Sequence, residues 1–234
     1  MRKVIPIILL FLIMGCVGVK NIETKRVEAI YYCINDHPYC RVAEKYLKNI
    51  KFLDLDYCNV RDLKNCSNIS KKYIGYIYTL PTLIAENKSF NGLFGLLEFM
   101  NTLKREGHNI DVPKVSEVLS SIEEVVKNYK SKDVKVFLEY LKEFKNNTTK
   151  TRVYFFYSPY CPHCIAVKPY VESLVNKTNI TFCNVNDFGN CSSDAKFVAT
   201  LSGLRGVPTA VVVNSSTAKV LVGEDEIREL EKYV

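Results

Sequence analysis

The chain has 234 residues, with 32 Lys and Arg against 25 Asp and Glu, a formal net charge of +7 and nine cysteines. That length accommodates two domains of ordinary size, each with its own core. The positive excess is modest, and basic and acidic residues alternate along the predicted helices without a dense basic stripe between aromatics, which argues against nucleic-acid binding.

In chain order, the first segment (residues 1–23) reads as a signal peptide or membrane anchor. Arg2 and Lys3 precede an apolar run from Val4 to Met14 that is short for a membrane span. Ile13-Met14-Gly15-Cys16 resembles a bacterial lipobox, which would make Cys16 a lipid anchor; the alternative is an uncleaved anchor in which Cys16 is an ordinary apolar residue. Both place the rest of the chain outside the cytoplasm, with membrane contact through this segment. The remaining eight cysteines form an even, closely spaced set suited to an oxidising compartment.

Residues 24–110 then read strand, helix, strand, helix, Pro-led strand, strand, helix, the last strand without set bounds. The predicted elements are Ala29 to Cys33, Tyr39 to Asn49, Phe52 to Asp56, Ser67 to Tyr73, Thr82 to Ala85 and Leu93 to Lys104. Residues 111–149 form a helical linker. Asp111-Val112-Pro113 opens it, and Val115, Val118, Leu119, Ile122, Val125, Val126 and Tyr129 recur at helical spacing, followed by a second helix from Val134 to Phe144. Residues 150–234 repeat the strand and helix order: Val153 to Tyr157, Pro162 to Asn176, Ile180 to Val185, Ser192 to Ser202, Thr209 to Val213, Ala218 to Val222 and Asp225 to Tyr233.

Two features carry the functional argument. One is Cys161-Pro162-His163-Cys164, two thiols spaced CxxC between an apolar strand and a helix. Helix-terminal amides there stabilise the first sulfur as a thiolate, and the second sits one turn away to resolve a mixed disulfide. The other is a duplication: Cys40, Cys58, Cys66 and Pro81 recur as Cys164, Cys183, Cys191 and Pro208, at offsets of 124 to 127. Matching text surrounds them, such as Cys58-Asn59-Val60 against Cys183-Asn184-Val185 and Leu80-Pro81-Thr82 against Val207-Pro208-Thr209. A zinc site needs four ligands, and neither a second CxxC nor a His pair accompanies the motif, since the other histidines are His37 and His108; no metal site is expected.

With these residues in hand, the chain after residue 25 resembles the thioredoxin superfamily. The implied fold is α/β: two tandem thioredoxin-like domains, each a central mixed sheet flanked by helices, joined by the helical linker. Cys161-Pro162-His163-Cys164 is similar to the active tetrapeptide of the bacterial oxidase DsbA, Pro169 matches the proline that kinks the first helix, and Pro208 matches the family's cis-proline. Tandem copies resemble protein disulfide isomerase and archaeal protein disulfide oxidoreductases. The family's buried acid, six residues before the first active cysteine, is replaced by Phe155.

The catalytic set expected is therefore Cys161 as nucleophile, Cys164 as resolving thiol, His163 as a donor stabilising the thiolate, and Pro208 beside the disulfide. In the first copy His37 takes the nucleophile's position, and Cys33 and Cys40 form either a structural bridge or an unusual redox pair. Equal spacing in both copies argues for structural disulfides Cys58 to Cys66 and Cys183 to Cys191. The function expected is that of an extracytoplasmic thiol:disulfide oxidoreductase, with no bound cofactor. It would act on exported proteins carrying thiols or disulfides and be recycled by a membrane redox partner. The alternative is a non-catalytic peptide-binding or chaperone module with structural disulfides.

Overall fold

The computed structural model describes residues 26–129 and 133–234. The expected leader (residues 1–23) and Cys16 lie outside them. Among the described residues, no helix is long and apolar enough to cross a membrane.

The first half runs β1 (Val27–Cys33), α1 (Pro38–Leu47), β2 (Leu53–Asn59), α2 (Asn68–Tyr73), β3 (Thr82–Ala85), β4 (Lys88–Asn91) and α3 (Gly92–Arg105). Two helices follow, α4 (Val115–Val126) and α5 (Asp133–Asn147). The second half comprises β5 (Arg152–Tyr157), α6 (Pro162–Ser173), β6 (Asn179–Asn184), α7 (Ser193–Ser202), β7 (Thr209–Val213), β8 (Ala218–Val222) and α8 (Glu224–Ile227). The strands form two four-stranded mixed sheets, ordered β2-β1-β3-β4 and β6-β5-β7-β8. In each, the first strand pairs parallel to the second and antiparallel to the third, so Tyr31 lies between Tyr57 and Leu83, and Phe155 between Phe182 and Ala210. This is the architecture of two thioredoxin-like domains.

Local chemistry explains the joins. Both α1 and α6 open with a proline in the first turn, where a missing N–H costs nothing. Ser67 caps α2 by accepting from the Ser70 N–H, and Ser192 caps α7 by accepting from the Ala195 N–H. Gly203, at φ 60°, closes α7 in the left-handed conformation that glycine adopts freely.

The two halves share a core. The apolar stripe of α4, including Val118, Leu119 and Ile122, packs on α1 and α5. Phe144 of α5 meets Phe197 of α7 edge to face at 5.1 Å and lies 6.4 Å from Tyr154 of β5. A separate cluster on the opposite face of the second sheet unites Val153 and Phe155 with Val167 and Val171 of α6 and with Ile227 and Leu230. The outer face of the first sheet stays more open. Ile30 and Ile84 are half-buried there, whereas Tyr154 and Val211, their counterparts in the duplication, are fully covered.

Several element ends differ from the sequence expectation, among them β2, which runs to Asn59 rather than Asp56, and α5, which runs to Asn147 rather than Phe144; two others have a clear packing cause. Helix α6 stops at Ser173 rather than Asn176: Val175 and Lys177 turn back to bond the carbonyls of Glu172 and Leu174, a tighter winding that brings Leu174 into the core. The expected single helix from Asp225 to Tyr233 is instead α8 followed by a 3-10 turn at Leu230–Tyr233. Ile227 and Leu230, three apart, are both fully buried, and the tight turn keeps both on the core side.

Candidate active site

Strand β5 ends at Tyr157, and the chain reverses through Ser158 to Tyr160: the Cys161 N–H bonds the Ser158 carbonyl at 3.2 Å and the Tyr160 N–H bonds Ser158 Oγ at 3.2 Å. This turn delivers Cys161 to the N-cap of α6, in extended backbone conformation, with Pro162 as the first helical residue. An N-cap side chain faces the unpaired amides of the first turn, and these favour an anion.

The two sulfurs occupy opposed environments. The Cys161 thiol is partly exposed and points at the Val207 carbonyl oxygen, 3.5 Å away. Its pKa is lowered, first by a hydrogen bond with the Cys164 thiol, which outweighs the opposing effect of burial, and further by the backbone amides of Cys164 and His163. Cys164 is buried at 1 % exposure, and burial pushes its thiol up to about 11, even though the Ser158 N–H donates to its sulfur at 3.5 Å. The surroundings favour the thiolate at Cys161 and the protonated thiol at Cys164.

Around the pair, the Val207–Pro208 peptide is cis, and the backbone carbonyl preceding the proline is the group that Cys161 meets. Pro208 itself accepts from the Gly223 N–H at 2.9 Å, fixing this loop to the start of α8. His163 projects outward, with Nδ1 3.4 Å from Glu224 Oε2. Arg228 also holds Glu224, at 2.6 Å, and keeps its carboxyl below the usual range, with His163 adding to the effect. Tyr160 is 81 % exposed and Ile165 58 %, giving the pair an apolar surround open to solvent. Phe155 lies wholly buried in apolar contacts with the underside of α6.

The corresponding position in the first half has another chemistry. His37 is the N-cap of α1, with a half-buried ring whose Nδ1 meets no hydrogen-bond partner among the described residues; burial, then Arg61, lowers its pKa. Cys33 and Cys40 are joined by a disulfide, and both sulfurs are shut away from solvent. The Tyr31 hydroxyl bonds the Cys40 carbonyl at 3.2 Å and lies 3.0 Å from the Cys33 sulfur, walling in the bridge. Further disulfides join Cys58 to Cys66 and Cys183 to Cys191, each across a short loop between a second strand and its following helix. The structure thus gathers Cys161, Cys164, His163 and Val207–Pro208 at one end of the second sheet, and leaves the three bridges outside that group. Among the described residues, no cluster of three or more His, Cys, Asp or Glu side chains is arranged to hold a metal ion.

Sequence reasoning does not single out Ser158, Glu224 or Tyr31. Ser158 sits in a turn with no motif of its own, and Glu224 meets His163 only because β7, β8 and α8 fold back across 61 residues. Tyr31 carries the only available signal, since it aligns with Phe155 in the duplication.

Residues 124–234 match the model of the thioredoxin family; the matched stretch takes in α5 and the whole second sheet. No curated protein matches the chain. Among solved structures, the chain is similar to oxidised mitochondrial thioredoxin 3 of Saccharomyces cerevisiae, at 18 % identity and a TM-score of 0.31, over 40 % of this chain and 87 % of that one. It is also similar to a thioredoxin of Fasciola hepatica, at 20 % identity and 0.31, over 43 % and 94 %. A third similarity is to an N21Q mutant thioredoxin of Halobacterium salinarum, at 27 % identity and 0.29, over 39 % and 83 %.

Proposed function

We propose that this protein is an extracytoplasmic thiol:disulfide oxidoreductase that forms, reduces or rearranges disulfides in exported proteins. The observation that carries the reading is the division of labour at α6: an accessible Cys161 with a lowered pKa at the helix N-terminus, hydrogen-bonded to a buried Cys164 with a raised one. Cys161 forms the mixed disulfide with a client sulfur, and Cys164 displaces the client to close the Cys161–Cys164 bond, or the sequence runs in reverse. His163, anchored by Glu224, adds a donor beside the thiolate and favours the dithiol, which makes the disulfide more oxidising. The backbone at Val207, next to a proline that lacks an N–H and just before β7, suits pairing with a client strand.

No bound cofactor enters this cycle. Its continuation needs a redox partner, which we place in the membrane beside the N-terminal segment. Three disulfides among the described residues are compatible with an oxidising compartment. The first half, whose cysteine pair is walled in, serves in this reading as a docking module. Insulin reduction and scrambled-ribonuclease assays on the wild type and on Cys161→Ser test the proposal. The reading expects turnover that is lost with Cys161; equal performance of the two proteins would favour a non-catalytic peptide-binding role.

A further inference from the structure

Cys164 poses a chemical problem. To displace a client from Cys161 its thiol must first lose a proton, yet a thiol titrating near 11 supplies only about one thiolate in ten thousand at pH 7. Phe155, which packs beneath the active-site helix, is an apolar side chain and accepts no proton.

Cys164 lines a hollow of about 320 Å³ between the end of β5 and the flank of α6, together with Tyr157, Ser158, Lys168 and Glu172. Sequence spacing builds this wall: Cys164, Lys168 and Glu172 follow one another at four-residue steps along α6, so they share one side of the helix. Lys168 Nζ contacts Glu172 Oε1 at 2.5 Å and lies 5.5 Å from the centre of the Tyr157 ring. The ion pair keeps the Lys168 ammonium charged, so the lysine is no acceptor, and it tethers a carboxylate at the mouth of the hollow. The other titratable groups around Cys164 are Cys161 and His163 in the first turn of α6 and Tyr157 at the end of β5; Glu224 of α8 faces His163. Only Glu172 combines an anionic oxygen with a place in the hollow.

We propose that Glu172 accepts the Cys164 proton in the resolving step, with Lys168 as the residue that positions its carboxylate. The inference rests on the exchange reading above. The hollow is wide enough for solvent to carry the proton between the two groups. In the step, the Cys164 S–H bond gives its proton to the carboxylate and the sulfur electron pair attacks Cys161 Sγ. That pair becomes the new Cys164–Cys161 bond, while the bond between Cys161 and the client sulfur breaks and the client leaves as a thiolate holding the electrons of the broken bond. Cys161 and Cys164 finish oxidised as a disulfide, and the client sulfur is reduced.

The test mixes the fully reduced CxxC form, other bridges intact, with one equivalent of dithiobis(nitrobenzoic acid), whose released thiolate is coloured. The first release reports attack by Cys161 and depends on reagent concentration; the second reports displacement by Cys164 and does not. In Glu172→Gln the first phase is unchanged, and the second slows roughly 10- to 100-fold at pH 7, the scale of a lost general base. The wild-type second phase is flat between about pH 6 and 8, whereas that of Glu172→Gln climbs about tenfold per pH unit; Glu172→Asp restores part of the plateau. A wild-type rate and profile in Glu172→Gln overturns the role of Glu172 and leaves the exchange reading standing. Absence of either phase in the wild type overturns the exchange reading, and this proposal with it.

Discussion

Cys161 and Cys164 are three residues apart, yet one backbone turn places them in different solvents. The first sulfur sits over unpaired amides, and the second has protein on nearly every side. Only the lowered Cys161 thiol ionises readily, so alkylation by iodoacetamide should select it near neutral pH. Its rate should fall as pH drops through a value below the ordinary thiol range, because protonation removes the nucleophile, while Cys164 should react only as pH climbs toward about 11. Peptide mapping of the reduced protein across pH checks this; two thiols with one common midpoint would contradict it. At this scale the motif itself was legible, because CxxC with an adjoining proline is a local pattern. The partners were not: Glu224 comes from the chain's last helix, and the Lys168–Glu172 wall acquires meaning only once Cys164 faces it.

At the scale of elements, the duplicated order of strands and helices could be read from apolar runs and turn residues, and the structure has it in both sheets. Errors fall at element ends, and at those of α6 and α8 burial of Leu174, Ile227 and Leu230 overrides helix periodicity. No single-residue pattern announces such tertiary demands. Each copy also carries a bridge over eight residues just before the capping serine of its following helix, joining the end of the strand to the helix entry. Replacing Cys183 and Cys191 together by alanine should cost roughly 2 to 3 kcal/mol, the loop-closure entropy of so short a ring. Chemical denaturation would show it as a lower midpoint at similar slope; an unchanged midpoint would mean the loop is held by other contacts. The Cys33–Cys40 bridge is more deeply enclosed, with the Tyr31 hydroxyl against it.

Across the whole molecule, the halves are not beads on a string. Helix α3 closes the first domain and also packs on α7 and β8 of the second. Gly92 and Gly203 make that approach possible: both have positive φ, and a Cβ at Gly203 would fall 2.7 Å from the Cβ of Asn91. Arg205 spans the same seam with a 3.0 Å bond to Ser89 Oγ, and Lys219 pairs with Glu98. Gly203→Ala should therefore lose more than the 1 to 2 kcal/mol or so of a left-handed alanine, since backbone strain and a steric clash add. Thermal unfolding would report it, and a loss below that range would show that the seam yields easily. The duplication was visible in the cysteine spacing, but this seam was not, because it depends on glycines that carry no motif.

The central claim is that one pair of sulfurs cycles while the others stay locked. Alkylation followed by mass spectrometry, on protein equilibrated in graded dithiol and disulfide buffers, tests it most directly. The account predicts that Cys161 and Cys164 pass together between dithiol and disulfide while Cys33–Cys40, Cys58–Cys66 and Cys183–Cys191 remain bridged. A Cys161–Cys164 pair that never changes state, or another bridge that opens before it, would contradict the account.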